Sequence, residues 1–233
     1  MDTTTEGTPN VGFWRAVGAI IWKDLTVDLR NKEVISAMFV FSLLVVLIFN
    51  FALDNNRNAQ EDVAVGVLWV TFMFAGTLGI NRTFAAEKDR NTLDGLLLAP
   101  VDRSVIYFGK MLSALTFMLI VEVAIMPVFA ILYNVNLLKP LFFLVVFLGT
   151  IGYVVVGTLL AAIAVHTRAR EVMLPILLFP VTIPVLLAAV RTCEGILTGL
   201  QWGRVTGPFN LIVAYDIIFI AISYMTFDYL VEE

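Results

Sequence analysis

The segment that decides the fold reads Glu87-Lys88-Asp89-Arg90-Asn91-Thr92-Leu93-Asp94-Gly95-Leu96-Leu97-Leu98-Ala99-Pro100-Val101-Asp102-Arg103. Together with the residues up to Lys110, it carries eight of the chain's thirty-four Asp, Glu, Lys and Arg side chains. Long apolar runs lie on both sides of it. A charged segment of this kind, set between two apolar runs, is typical of a loop that joins two membrane spans and faces water.

The middle of this segment has the pattern of a short amphipathic helix. Leu93, Leu96 and Leu97 recur at the three-to-four spacing of one helical face. Thr92 is a residue type that caps helix N-termini, and Pro100 ends the helix because it has no N–H to donate. We therefore predict a helix that docks onto a soluble partner. An ordinary solvated loop is the alternative interpretation.

The rest of the chain predicts an all-α membrane protein. Of its 233 residues 60% are hydrophobic and 15% charged, which excludes a soluble globular domain. The apolar runs are near twenty residues long, the length of a helix that crosses about 30 Å of hydrocarbon. After a disordered tail at residues 1–10 we predict one domain at residues 11–233. Its six transmembrane helices are predicted at residues 34–53, 63–81, 105–132, 140–165, 172–190 and 209–230.

The basic residues predict the orientation. With six spans both termini lie on one side, and if that side is the cytoplasm, eleven of the fifteen Lys and Arg residues are cytoplasmic. The four on the outer side are Arg57, Lys139, Arg191 and Arg204. This asymmetry follows the positive-inside rule, so we expect cytoplasmic termini.

Residues 13–30 predict an amphipathic helix in the membrane interface, ahead of the first span. Its apolar face is predicted to hold Trp14, Val17, Ile21, Trp22, Leu25 and Leu29. Aromatic side chains of such a helix lie at headgroup depth. Asp24 and Asp28 lie at the edge of this face and weaken the pattern. The alternative is a helix packed on the protein's own cytoplasmic side.

Two acids fall within predicted spans, Glu122 in the third and Asp216 in the sixth. A carboxylate in hydrocarbon costs several kcal/mol unless it is protonated, paired or hydrated. Each is therefore either a polar clamp between helices or part of a transport path. Pro127 lies five residues after Glu122 and frees a backbone carbonyl near Val123, which a protonated Glu122 is placed to satisfy.

The fifth predicted span contains three prolines within ten residues, Pro175, Pro180 and Pro184. Each removes one helical hydrogen bond. We therefore expect a kinked or partly unwound helix, and we interpret these prolines and Pro127 as helix breaks or hinges of a moving protein.

The sequence contains no phosphate-binding loop, since Gly109-Lys110 is followed by Met111, and none of the common catalytic motifs. The single histidine, His166, and the single cysteine, Cys193, cannot form a structural zinc site. We interpret His166 as a solvated loop residue, with a haem axial ligand as the alternative. We interpret Cys193 as a small apolar filler, with a thiol that pairs with another chain as the alternative. The chain is not expected to be an enzyme, so ATP hydrolysis would need a separate subunit.

Residues 87–103 resemble the cytoplasmic coupling segment of ABC-2-type permeases. Further stretches narrow the resemblance to the cytochrome c maturation protein B family (CcmB), the haem exporter permease. These are residues 74–82, the Leu-Leu-Leu-Ala-Pro-Val-Asp-Arg-Ser run at residues 96–104, Val121-Glu122 and residues 174–180. The resemblance covers nearly the whole chain from Trp22. One departure is Asn91, where the broader pattern usually has Gly.

The resemblance implies an ABC-2-type permease fold in the bacterial inner membrane. It implies a cytoplasmic ABC ATPase subunit, a haem-handling membrane protein and a periplasmic haem chaperone as partners, with the permease as a homodimer. The role it implies is haem export or release of the loaded haem chaperone during cytochrome c maturation, driven by the ATPase subunit, with haem as the candidate cargo and no tightly bound cofactor in this chain. The coupling residues it implies are Glu87, Thr92, Leu93, Asp94, Leu96, Leu97, Pro100 and Arg103. Two alternatives stay open: a non-transporting membrane scaffold of the same complex, and an ABC-2 permease for another lipid-like or amphipathic cargo.

Overall fold

Seven α-helices make up nearly all of the chain that the structure describes. The structure is a computed structural model and describes residues 12–53, 57–89, 103–165, 167 and 169–230, so the predicted tail at residues 1–10 lies outside it. The helices are α1 (Phe13–Asn31), α2 (Glu33–Leu53), α3 (Arg57–Asp89), α4 (Arg103–Leu132), α5 (Pro140–Ala164), α6 (Arg170–Leu197) and α7 (Trp202–Leu230).

Helices α2 to α7 each contain a stretch long and apolar enough to cross a membrane, which confirms the six predicted spans and the all-α class. The last two stretches differ from the prediction. The apolar part of α6 continues to Leu197, and that of α7 begins at Trp202. Arg191 and Glu194, which suggested a loop, are exposed side chains of the continuing helix α6.

A tight turn joins α6 to α7. Gly199 has a φ of +74°, a left-handed conformation that favours glycine. Its N–H donates to Ile196 O at 3.3 Å, and the next N–H, of Leu200, donates to Gly195 O at 2.9 Å. These two bonds form a Schellman motif, which satisfies carbonyls at the end of α6.

Helix α5 is the centre of the bundle. Within its apolar stretch 67% of the residues are buried, against 17% for α2, and α5 contacts α3, α4, α6 and α7. Tyrosines fasten it to its neighbours: Tyr107 OH donates to Val155 O at 2.9 Å and Tyr153 OH to Met73 O at 2.7 Å. Gly149 lets α3 approach closely, because a Cβ there would collide with the Trp69 indole.

Helix α1 lies against α4, with α2 as its second neighbour. Its buried face contains Ala16, Val17 and Ile20, whereas Trp14 and Trp22 are 73% and 75% exposed. The residues of the predicted apolar face are therefore divided between two sides, with Val17 on the buried side and Trp14 and Trp22 exposed. One apolar side of α1 packs on the protein's own bundle, as in the alternative interpretation, and the two tryptophans point away from it.

The prolines do not interrupt their helices. Helix α6 runs unbroken from Arg170 to Leu197 through all three of its prolines, and α4 runs through Pro127. The expected partial unwinding of the fifth span is therefore wrong, and the expected kink stays a prediction. A proline removes only its own N–H bond, and the flanking residues keep theirs, because hydrocarbon offers their backbone groups no other partner.

Lys139 fastens the α4–α5 connection to the end of α6, and this contact gives a prediction. Its Nζ donates to the carbonyls of Ile196 and Leu197 at 2.8 and 3.1 Å. A cation at a helix C-terminus stabilises it by up to about 2 kcal/mol where it is partly buried. We expect Lys139→Met to lower the thermal unfolding midpoint in detergent, measured by circular dichroism, and Lys139→Arg to restore most of it. Equal midpoints for Lys139→Met and wild type would contradict this role.

Candidate functional site

The two ends of the bundle differ in what they carry. One end, here called the α1 end, has α1, the last turns of α3 and the first turns of α4. The other, the turn end, has the α4–α5 connection and the α6–α7 turn, joined through Lys139. The predicted coupling segment connects α3 to α4 and therefore belongs to the α1 end.

Only the edges of the coupling segment are described. Helix α3 extends to Asp89, seven residues beyond the apolar stretch that ends at Arg82. At 1.5 Å per residue this projects the helix, with Glu87 near its tip, about 10 Å further. Arg103 is the first residue of α4. The other predicted coupling residues, Thr92, Leu93, Asp94, Leu96, Leu97 and Pro100, lie outside the described residues.

A buried ion pair joins α1 to the helix that follows the coupling segment. Lys110 Nζ lies 3.0 and 3.1 Å from the two carboxylate oxygens of Asp24, and the Lys110 side chain is 2% exposed. Lys23 adds a second cation 3.3 Å from Asp24. One turn away, Ile20 fills the space that a Cβ at Gly109 would need. The first turns of α4 and helix α1 therefore form one packed unit.

The sequence alone did not indicate this pair. Asp24 weakened the amphipathic pattern of α1, and Lys110 was one of several charges at the start of a span. The signal was the acid itself, since a carboxylate at the edge of an apolar helix face needs a cation on whatever that face contacts. The sequence did not say which cation, because Lys110 is 86 residues away.

Glu122 is buried between α4 and α5, at 1% exposure. Its Oε1 accepts a hydrogen bond from Thr150 Oγ1 at 2.8 Å, and its Oε2 has no partner among the described residues. The expected contact with the freed Val123 carbonyl is not made. Val123 is 65% exposed and lies on the outer side of α4, whereas the side chain of Glu122 points inward.

Asp216 is buried on α7, at 5% exposure, and faces α5. A Cβ at Gly152 would collide with its Oδ1, so only glycine leaves room for this carboxyl group. Neither carboxylate oxygen has a hydrogen-bond partner in the described part of the chain. The neighbouring Tyr215 hydroxyl donates to Val181 O of α6, at 3.0 Å.

The two acids lie on different sides of α5. Glu122 contacts Thr150 and Asp216 contacts Gly152. Residues two positions apart in an α-helix, such as Thr150 and Gly152, point about 200° apart around the helix axis. Helix α5 therefore stands between the two carboxyl groups. The structure thus places both predicted polar residues against one central helix but does not bring them together.

The remaining candidates give no metal site in what the structure describes. His166 is outside the described residues. Cys193 is buried, beside the indole of Trp69. Within the described ranges, no three His, Cys, Asp or Glu side chains form a group that could hold a metal ion.

Comparison with known proteins matches the chain almost from end to end. A family model described as CcmB protein matches residues 15–232. The heme exporter protein B of Bradyrhizobium diazoefficiens is 23% identical over 210 residues, covering 89% of this chain and 93% of that protein.

Two further relatives with the same name give similar figures. The Rhodobacter capsulatus protein is 28% identical over 170 residues, covering 72% of this chain and 78% of its own. The Pseudomonas aeruginosa protein is 24% identical over 172 residues, with 73% and 77% covered.

The ion pair between α1 and α4 predicts unequal effects of its two partners. Asp24→Ala leaves Lys110 as a buried cation without its carboxylate, and we expect a loss of about 3 kcal/mol in stability. Lys110→Met should cost less, because Asp24 keeps Lys23 at 3.3 Å and lies nearer to water. Denaturation in detergent, followed by tryptophan fluorescence, measures both.

The double variant Asp24→Leu/Lys110→Met is the control. Replacing a buried ion pair by apolar side chains of similar size is often neutral, so we expect it to be more stable than Asp24→Ala. A loss equal to the sum of the two single losses would show that the ion pair is not the reason for either.

Proposed function

Because the chain belongs to the CcmB protein family, we propose that it is the transmembrane permease subunit of an ABC transporter that acts in haem export during cytochrome c maturation. The observation that carries this proposal is the family match over residues 15–232. The six apolar helices support it, since they make the chain a multi-pass membrane protein. The names of the relatives supply the cargo, haem.

ATP hydrolysis belongs to a partner in this proposal. The sequence lacks a phosphate-binding loop, so a cytoplasmic ABC ATPase subunit supplies the energy. The α1 end is then the cytoplasmic end, and the turn end faces the outside of the bacterial inner membrane. A haem-handling membrane protein and a periplasmic haem chaperone complete the complex, in which residues 11–233 form one transmembrane domain and two copies of the chain pair.

The coupling segment is the contact with the ATPase in this proposal. Glu87 and the predicted helix at residues 92–98 dock on the ATPase, with Pro100 and Arg103 leading into α4. Motion of the segment is passed directly to α4, because α4 begins at Arg103. It is passed to α1 as well, because the Asp24–Lys110 pair fastens α1 to the second turn of α4.

Glu122 and Asp216 are the proposed polar groups of the transport path, with the four prolines as hinges. Their positions against α5 mean that a cargo path lined by either carboxyl group requires α4 or α7 to separate from α5. The unbroken α6 moves as one rod with flexible points at Pro175, Pro180 and Pro184, where single bonds are missing.

A second candidate function is favoured by the burial of the same acids. Glu122 and Asp216 are 1% and 5% exposed, as expected for a sealed bundle that scaffolds the haem-delivery complex and releases the loaded chaperone without moving haem.

Reconstitution separates the two functions. The chain, the ATPase and the haem-handling protein are placed in vesicles that contain an apo haem-binding protein. ATP-dependent appearance of haem inside the vesicles supports transport. ATP-dependent release of the loaded chaperone, without haem inside, supports the scaffold. Failure of both in a complex that hydrolyses ATP would contradict the proposed cargo.

The missing phosphate-binding loop gives a prediction. The purified chain should neither bind nor hydrolyse ATP, because no segment offers the backbone N–H groups and lysine that hold the phosphates. A malachite-green phosphate assay and binding of a fluorescent ATP analogue measure this. Turnover that persists after removal of every trace of ATPase subunit would contradict it.

The leucine face of the coupling segment gives another testable prediction. A buried leucine contributes about 1.5–3 kcal/mol, so Leu96→Asp should weaken assembly with the ATPase about tenfold or more. Docking of such a face into a groove is a common mode of helix recognition. The measurement is the affinity of the purified ATPase for the chain in nanodiscs.

Lys88→Ala is the matched control within the same segment. A charged group at the rim of an interface affects association rate more than affinity, so this variant should bind almost as well as wild type. Unchanged binding of Leu96→Asp would mean that the docking surface lies elsewhere.

A further inference from the structure

Asp216 lies where three helices meet, with no charged partner among the residues that the structure describes. Around the space that a Cβ at Gly152 would occupy, the nearest atoms are Oδ1 of Asp216, Cδ1 of Tyr215 and Cγ2 of Val185. Helix α5 thus presents a glycine to the carboxyl group and α6 presents a valine. The adjacent tyrosine hydroxyl is engaged with Val181 O, at 3.0 Å.

The ionisable groups of the third neighbour, α4, are engaged elsewhere. Lys110 is paired with Asp24 at the α1 end. Tyr107 donates to Val155 O, and Glu122 is bonded to Thr150 on the other side of α5. The contacts described for Asp216 therefore include neither a cation nor a hydrogen-bond donor. A carboxylate without either is far less favourable in such surroundings than a neutral carboxylic acid, so the closed bundle suits the protonated form.

A cleft leads toward this acid from the turn end. Between α6 and α7 a cavity of about 350 Å³ opens, with Pro184 and Leu211 among its lining residues and Arg191 as its charged group. Leu211 is one helical turn before Tyr215, and Pro184 is three residues after Val181. The hydrogen bond from Tyr215 OH to Val181 O therefore crosses from α7 to α6 about one helical turn beyond the residues that line the cleft, and Tyr215 precedes Asp216 in the chain.

The charged groups at the cleft and at Asp216 favour binding of a proton over binding of a metal ion. Arg191 disfavours a metal cation, and a single carboxyl group without further ligand oxygens is not a metal site. A proton needs only one carboxylate oxygen and a chain of water to reach it.

We propose that Asp216 is a proton-binding site that exchanges with water at the turn end through the α6–α7 cleft, with the Tyr215–Val181 hydrogen bond as its gate. When the gate opens, a proton passes between water and one carboxylate oxygen of Asp216. When it closes, Gly152 and its neighbours hold the neutral acid. This proposal does not depend on the cargo of the transporter.

Infrared spectroscopy of the full chain in bilayers tests the site. A neutral carboxylic acid has a carbonyl band well separated from that of a carboxylate, and at neutral pH we expect such a band to be absent from Asp216→Asn. Glu122→Gln identifies the second acid in the same way. A spectrum unchanged by Asp216→Asn would show an ionised group and overturn the proposal.

Exchange into D₂O tests the gate, with Glu122 as the internal reference. The Glu122 band reports exchange at a buried acid on the other side of α5, away from the Tyr215–Val181 hydrogen bond. Tyr215→Phe removes one neutral hydrogen bond, so it should speed the Asp216 shift about fivefold and leave the Glu122 shift unchanged.

Thr150→Val is the matched control, because it also removes one hydroxyl, the one bonded to Glu122. It should leave the rate of the Asp216 shift unchanged. Equal acceleration by Thr150→Val and Tyr215→Phe, or no acceleration by Tyr215→Phe, would overturn the gated route.

Discussion

Hydrocarbon offers no hydrogen bonds, so a backbone polar group that enters the membrane must find its partner inside the protein, and a side chain that does the same is stabilised by one. Helix α5 takes part in several of the hydrogen bonds between helices. Its Val155 carbonyl, its Tyr153 hydroxyl and its Thr150 hydroxyl are bonded to α4 and α3. The peripheral helix α2 has few buried residues and takes part in fewer of these hydrogen bonds. The arrangement of the bundle around one central helix follows from that constraint.

The same constraint explains why α6 continues through its three prolines although unwinding was predicted. The sequence shows that Pro175, Pro180 and Pro184 lack N–H groups, and from this a kinked or partly unwound helix was predicted. Whether the helix continues depends instead on whether the other backbone N–H and C=O groups of α6 could find hydrogen-bond partners outside the helix. In an apolar bundle they could not. Local sequence reports the loss of a donor, whereas the environment decides whether the helix survives it.

How far the sequence can predict a feature depends on the distance over which that feature is determined. The six spans are local, because twenty consecutive apolar residues suffice, and they were predicted with small errors at the last two. The partners of the charged residues are not local. Lys110 and Asp24 are 86 residues apart, and the glycine that accommodates Asp216 lies on another helix. Glu122 and Asp216 could be singled out as anomalies, but not assigned their neighbours. The coupling leucines remain a prediction.

The separation of Asp24 and Lys110 along the sequence has a consequence for biosynthesis. Helix α1 leaves the ribosome before α4, yet the buried cation that pairs with its Asp24 is synthesised 86 residues later. Two hydrophobic helices, α2 and α3, must be inserted in the meantime. During that interval Asp24 keeps its water, and α1 waits at the membrane surface with the apolar face around Val17 unpaired. Docking of α1 is therefore a late step of maturation, and the arrival of α4 in the bilayer sets its timing.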